Sequence, residues 1–211
     1  CVTSLGACNV PVDEWKLDVV ASGSQKGYMI PPGLSFISMS QKAWEAAEKS
    51  NLPKFYLNLK SYRKSLLSNS NPYTPAVNLI FALDEALKMM REEGLDNIFL
   101  RHNKHKLAMS NAVKALNLKL FADEKYLSPS ITAIKTEGMD AEEFRKTIKN
   151  NFDILLAGGQ DHLKGKIFRV GHLGYVNDRD IITVVFAMSS TLLKMGTVSY
   201  THLTLPTSHC V

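Results

Sequence analysis

At 211 residues, 45% of them hydrophobic, the chain is long enough for one large domain or for two modest ones sharing an interface, and it reads as a soluble globular protein. Lys and Arg number 25 against 20 Asp and Glu, a net charge of +5, but the basic residues are spread along the sequence rather than gathered in a stripe, which argues against a nucleic-acid partner. No apolar run approaches the roughly 20 residues of a membrane-spanning helix. Cys1, Cys8 and Cys210 form no CxxC pair, so neither a metal site nor a disulfide framework is expected, and a reducing, cytoplasmic setting fits best. Residue 1 is Cys rather than Met, so the chain reads as a piece of a longer protein.

In chain order, Leu17 to Ala21 is a short apolar run with two adjacent valines, predicted as a buried strand that ends in the small residues Ser22, Gly23 and Ser24. Gly33 to Met39 reads as a second strand, so two strands flank a loop over 22–32. A short helix is expected around Trp44 and another within Phe55 to Leu67, before the turn-rich Ser68-Asn69-Ser70-Asn71-Pro72. From Pro75, apolar residues at helical spacing (Val77, Ile80, Phe81, Ala86, Leu87, Met90) predict a long helix. Gly94 breaks it, and Leu95 to Leu116 carries a second one. Beyond it come strand-like runs at 118–122, 131–136, 154–158 and 166–171, a helix over about 140–149 capped by Asp140, and a helix over 178–194. Strands interleaved with helices describe an α/β or α+β chain. We place its division near Glu93, with 1–93 and 94–197 as two domains. Residues 198–211 lack helical period and read as a non-native tail.

Ser22-Gly23-Ser24-Gln25-Lys26-Gly27 puts a lysine in a tight loop of small residues directly after a strand, where α/β sheets gather ligands. A lysine amine there can act as a nucleophile if its surroundings keep it neutral, and hydroxyls and amides of such a loop can hold a phosphate. A surface loop with an exposed lysine accounts for the same spacing. Arg169 lies between apolar neighbours in Lys166-Ile167-Phe168-Arg169-Val170-Gly171, where a buried guanidinium needs an anionic partner; a structural salt bridge or a ligand carboxylate would each serve. His172 is expected to pack, and His102 and His105 to occupy a packed or solvated helix face.

Three stretches in order, CVTSLGACNVPVDEWKLDVVASGSQKGYMIPPGLSFISMS, PYTPAVNLIFALDEALKMMREEGLDNIFLRH and GGQDHLKGKIFRVGHLGYVNDRD, resemble the class V aminotransferases, in the branch of alanine:glyoxylate, serine:pyruvate and serine:glyoxylate aminotransferases. The resemblance covers roughly 1–196. It implies a fold-type I pyridoxal-phosphate-dependent transferase, with 1–93 the C-terminal part of the large mixed-sheet domain and the remainder a small α+β C-terminal domain. The implied cofactor is pyridoxal 5′-phosphate, with Lys26 as Schiff-base lysine and proton carrier. Gln25, and secondarily Ser24, would contact the cofactor; Asn71 and Thr74 would reach across a homodimer to the phosphate bound by the other subunit; Arg169 would grip the carboxylate of the amino-acid and 2-oxo-acid substrates. Ordinary Asn-Pro and Thr-Pro turn chemistry is the alternative at Asn71 and, less so, at Thr74.

In the family, the Asp that keeps the pyridine nitrogen protonated immediately precedes a stretch like Cys-Val-Thr-Ser-Leu-Gly, which is where this sequence begins. The isolated chain is therefore expected to bind the cofactor poorly and not to turn over. Among rivals, a cysteine desulfurase usually shows His before the lysine, where Gln25 stands here, and needs a cysteine on a later loop. A phosphoserine or aminoethylphosphonate aminotransferase, a non-catalytic relative and a truncated product that only dimerises remain as alternatives. Eukaryotic relatives add a peroxisomal setting to the cytoplasmic one.

Overall fold

A computed structural model describes residues 1–196, which fall into two compact units, Cys1–Leu95 and a second that begins at Asp96. The expected tail at 198–211, with Cys210, lies outside the described residues.

In the first unit, β1 (Val19–Gly23) pairs antiparallel with β2 (Ser35–Met39), from Val19 opposite Met39 to Gly23 opposite Ser35. β1 starts later than its apolar run because Lys16 closes a turn at φ +52°, and it extends further because Ser22 and Gly23 still find ladder partners on β2. α1 (Gln41–Lys49) follows at once. Its N-cap Ser40 accepts from the Ala43 amide at 3.1 Å and donates to Asp18 Oδ1 at 2.7 Å, tying the helix start to the strand before it. α2 (Leu59–Leu67) is capped by Asn58, and the Arg63 guanidinium lies 4.7 Å from the centre of the Trp44 ring on α1. α3 (Val77–Glu93) begins two residues after Pro75 and stops at Gly94, whose φ of +83° glycine adopts without a Cβ penalty.

The second unit opens with α4 (Leu95–Ala115) and continues with β3 (Lys119–Leu120), β4 (Ile131–Lys135), α5 (Ala141–Phe152), β5 (Ala157–Gly158), β6 (Ile167–Gly171) and α6 (Asp178–Lys194). The strands form an antiparallel sheet in the order β3-β4-β6-β5. Alternation sets its faces: Phe168 and Val170 enter the core beside Ile134, against Met109 and Val113 of α4, Phe144 and Ile148 of α5, and Val184, Met188 and Leu192 of α6. Arg169 takes the opposite face. α5 starts where Asp140 caps it, its side chain accepting from the Glu142 amide at 2.8 Å. α6 carries a reciprocal capping box between Asn177 and Asp180.

Two strands are shorter than their apolar runs suggest. The run 118–122 keeps only Lys119–Leu120 in regular pairing. The run 154–158 keeps only Ala157–Gly158, because the Leu156 carbonyl is taken by Arg145 Nε at 2.8 Å instead of a ladder amide.

Candidate active site

The loop that carries Lys26 is closed by its neighbour Ser24. The Ser24 amide donates to Leu34 O at 3.0 Å and its carbonyl accepts from the Ile30 amide at 3.3 Å. Its hydroxyl donates to Pro31 O at 2.8 Å and accepts from the Leu34 amide at 3.1 Å. One residue thus ties both arms of the loop together, and it is fully buried. Ser24 is expected to contact the cofactor; in the structure its hydroxyl proton goes to Pro31 O, and Ser24 shapes the loop that presents Lys26.

Two further features stiffen that loop. A Cβ on Gly27 would lie 2.1 Å from Leu5 O and 2.9 Å from Gly6 Cα, so the backbone after Lys26 presses against the 5–6 turn in a way only glycine permits. Met29 sits in the left-handed region at φ +64°, with its amide bonded to Lys26 O at 3.0 Å, a conformation that costs about 1 kcal/mol and persists because its surroundings hold it. Tyr28 packs on Phe36 of β2 with ring centres 4.5 Å apart, and burial pushes its phenol pKa up.

Against this fixed backbone the Lys26 side chain is half-buried, and among the described residues its amine has no hydrogen-bond or ion-pair partner. Gln25 is exposed, with Oε1 3.0 Å from where a Cβ of Gly23 would stand, so the glycine leaves room for its amide. The hydroxyl of Ser22, at the end of β1, is buried without a partner among the described residues. Such a group is costly unless something satisfies it, and sequence reasoning had treated Ser22 only as a loop boundary.

Asn71 and Thr74 come together on a second loop of the same unit, with Tyr73 between them and Pro72 and Pro75 alongside. Both are exposed, and no hydrogen bond engages their side chains or joins them to the Lys26 loop among the described residues. Tyr73 anchors this loop: its hydroxyl donates to Phe55 O at 3.1 Å, and its ring meets Phe55, Tyr56 and Tyr62.

In the second unit, Arg169 stands on β6 between Ala133 of β4 and Ala157 of β5. Nε donates to Gly158 O at 2.9 Å, which fixes the plane of the guanidinium. Its terminal nitrogens meet no carboxylate among the described residues, so the structural salt bridge considered for this half-buried arginine is not made.

The loop that follows β6 is held by α4. Arg101 Nη1 donates to Gly174 O and to Val176 O, both at 2.9 Å. His102, fully buried, donates from Nδ1 to Ile98 O at 2.7 Å and accepts from the Gly174 amide on Nε2 at 3.1 Å, so this network assigns it the neutral Nδ1–H tautomer. His105 Nε2 lies 3.1 Å from Asp178 Oδ1, and Lys104 followed by His105 holds that carboxyl below the usual range. His172 shares a 2.9 Å bond with Thr132 Oγ1, while burial, reinforced by the nearby His105 and His102, lowers its pKa to about 4 even though the Pro129 carbonyl opposes the shift. All three histidines are structural in this arrangement, as packing positions require. Their hydrogen bonds, and the parts played by Arg101 and Arg145, were not visible in the sequence.

The family described as aminotransferase class-V matches residues 1–179. The chain is 58% identical over 200 residues to a protein of Synechococcus sp. (strain PCC 6716) named soluble hydrogenase, small subunit, covering 95% of this chain and 52% of that one. It is 36% identical to the serine–glyoxylate aminotransferase of Methylorubrum extorquens, with coverage of 92% and 50%. Among solved structures, the ureidoglycine–glyoxylate aminotransferase of Bacillus subtilis superimposes with a TM-score of 0.88 at 29% identity, covering 95% of this chain and 54% of that one. The chain thus spans about half the length of the relatives it matches. Its α/β structure and its sequence agree on one assignment: the chain belongs to the class V aminotransferases, fold-type I enzymes that depend on pyridoxal phosphate.

Proposed function

We propose that the whole protein transfers an amino group between a small amino acid, serine or alanine, and a 2-oxo acid, glyoxylate or pyruvate. The observation that carries this reading is Arg169: a half-buried guanidinium anchored through Nε, with its terminal nitrogens uncommitted among the described residues. Every substrate of such a reaction has a carboxylate, and a planar guanidinium meets it with two parallel hydrogen bonds.

The residues of the first unit fit the lysine end of a pyridoxal-phosphate site. An uncommitted amine stands on a loop tied together by Ser24, and the hydroxyl of Ser22, four residues earlier on β1, is buried without a partner among the described residues. Pyridoxal phosphate, when bound, supplies an aldehyde carbon that exchanges amino groups and a ring that takes up the electron pair left at the substrate Cα. Lys26 Nζ would hold it. The same nitrogen, when free, would be the group that holds and moves the proton of the substrate Cα. Gln25 would donate from its amide near the phenolic oxygen or phosphate. Arg169 would bind the carboxylate of each acid in turn.

We place Asn71 and Thr74 at the phosphate of the neighbouring subunit in a homodimer. What supports the dimer is the apolar surface ahead of that loop, where Phe55 is 80% and Leu67 is 83% exposed. A cytoplasmic location is part of the same proposal.

The test is a transamination assay of a full-length protein with serine or alanine and with glyoxylate or pyruvate. Lys26→Ala should lower kcat by about 10² to 10⁴-fold or more. Arg169→Ala should raise the KM of both acids on the order of 10²-fold. Unchanged activity in Lys26→Ala, or unchanged KM in Arg169→Ala, would remove that residue from the site. The name of the Synechococcus relative favours a second reading, a hydrogenase subunit. Hydrogen-dependent dye reduction by the full-length protein, without transamination, would select it.

A further inference from the structure

Arg169 owes its orientation to a carbonyl on the two-residue edge strand β5, and so short a strand has few ladder bonds of its own. What keeps it in place is a clamp from α5. Arg145 Nε donates to Leu156 O at 2.8 Å, just before β5, and its Nη1 donates to Glu142 Oε2 at 2.6 Å. Arg145 is only 22% exposed, and its guanidinium lies directly against Gly158: a Cβ there would come within 2.5 Å of Arg145 Nη1 and 2.9 Å of Glu142 Oε1. Gly158 is therefore held between two arginines. One packs on its Cα, and the other takes its carbonyl.

We infer that Arg145, oriented by Glu142, is a positioning residue for substrate binding: it fixes β5 so that Gly158 O holds the Arg169 guanidinium ready for a carboxylate. This rests on the reading of Arg169 as the carboxylate-binding residue. Arg145 itself does not touch substrate. Its loss leaves Leu156 O unbonded and frees β5 to shift, and a guanidinium displaced by a fraction of an ångström loses one of two parallel hydrogen bonds. An alanine methyl at 158 would push the Arg145 head group out of this position while leaving the backbone room.

The experiment uses a full-length holoenzyme with Arg145→Ala, Glu142→Gln, Gly158→Ala and Arg169→Ala, alone and in pairs. Three quantities are read: KM and kcat for the amino acid and the oxo acid, the Kd of propionate as a carboxylate that cannot react, and hydrogen-exchange protection of the Gly159 amide, which bonds Ile167 O at 3.1 Å. Arg145→Ala and Gly158→Ala should each raise both KM values and the propionate Kd roughly tenfold, leave kcat within about twofold and reduce Gly159 protection. Glu142→Gln should give a smaller change in the same direction. In the Arg169→Ala background the effect of Arg145→Ala on propionate should vanish. Unchanged propionate affinity in both Arg145→Ala and Gly158→Ala, beside a weakened Arg169→Ala, overturns this proposal alone. An Arg145→Ala effect that persists undiminished without Arg169 also overturns it. Unchanged affinity in Arg169→Ala removes the carboxylate reading, and the positioning role with it.

Discussion

In the unit from Asp96 onward, one buried cluster joins three helices and the central strands, whereas in Cys1–Leu95 neither α1 nor α2 buries a single residue and large apolar side chains such as Phe55, Leu57, Leu66 and Leu67 face outward. The contrast matches the two roles we propose for the units. Among the described residues, Arg169 is oriented by a neighbour within its own unit, Gly158 O. Lys26 has a rigid loop, but its unit leaves apolar surface that we propose further chain and a second copy cover.

The contrast breaks most readily at the core of the second unit. Phe144 is fully buried with its ring centre 4.9 Å from that of Phe168, so Phe144→Ala should cost about 3 to 5 kcal/mol in a denaturant titration. A cost under 1 kcal/mol would show a core far looser than its burial indicates.

Buried His172 gives a pH version of the same test. Folding lowers the His172 pKa from 6.5 to about 4, so the unfolded chain binds this proton better than the native one. The contribution of His172 is whole above its unfolded pKa and is lost as pH falls from there toward the folded value, a change on the order of 3 kcal/mol. His172→Gln should flatten the stability profile across that window. An equally steep profile would assign the loss to other groups.

Smaller effects belong to the first unit. Gly27→Ala forces a methyl against Leu5 O, and since both partners are backbone the loop must move; about 1 to 3 kcal/mol and weaker cofactor retention are expected, read by thermal unfolding and by the absorbance of the bound cofactor. Phe55→Ser with Leu57→Ser should change the stability of the monomer by only about 0.5 kcal/mol each, while lowering self-association of the full-length protein in sedimentation. Unaltered association would place the dimer contact elsewhere.

Local signals in the sequence were strong enough to locate most elements. Apolar period gave α3, α4 and α6, and Gly94 ended α3 where a positive φ was needed. The strand at 154–158 was overcalled because its apolar residues pack without pairing: the competitor for Leu156 O is the side chain of Arg145, eleven residues earlier in sequence. Lys26 and Arg169 stood out because a lysine in a glycine-rich loop and an arginine in an apolar strand break their local patterns. For Ser24 the sequence shows a serine beside such a lysine but not its bonds to the carbonyl of Pro31 and the amide of Leu34, which only the fold brings together. The Arg145 clamp and the neutral tautomer of His102 depend on tertiary contacts that no spacing encodes.

The account turns on Lys26, and borohydride reduction of the full-length holoprotein followed by peptide mapping tests it most directly. Reduction fixes the cofactor to the nitrogen that holds it. The account predicts the pyridoxyl label on the peptide containing Lys26 and on no other; a label on a different lysine, or none in protein saturated with the cofactor, would contradict it.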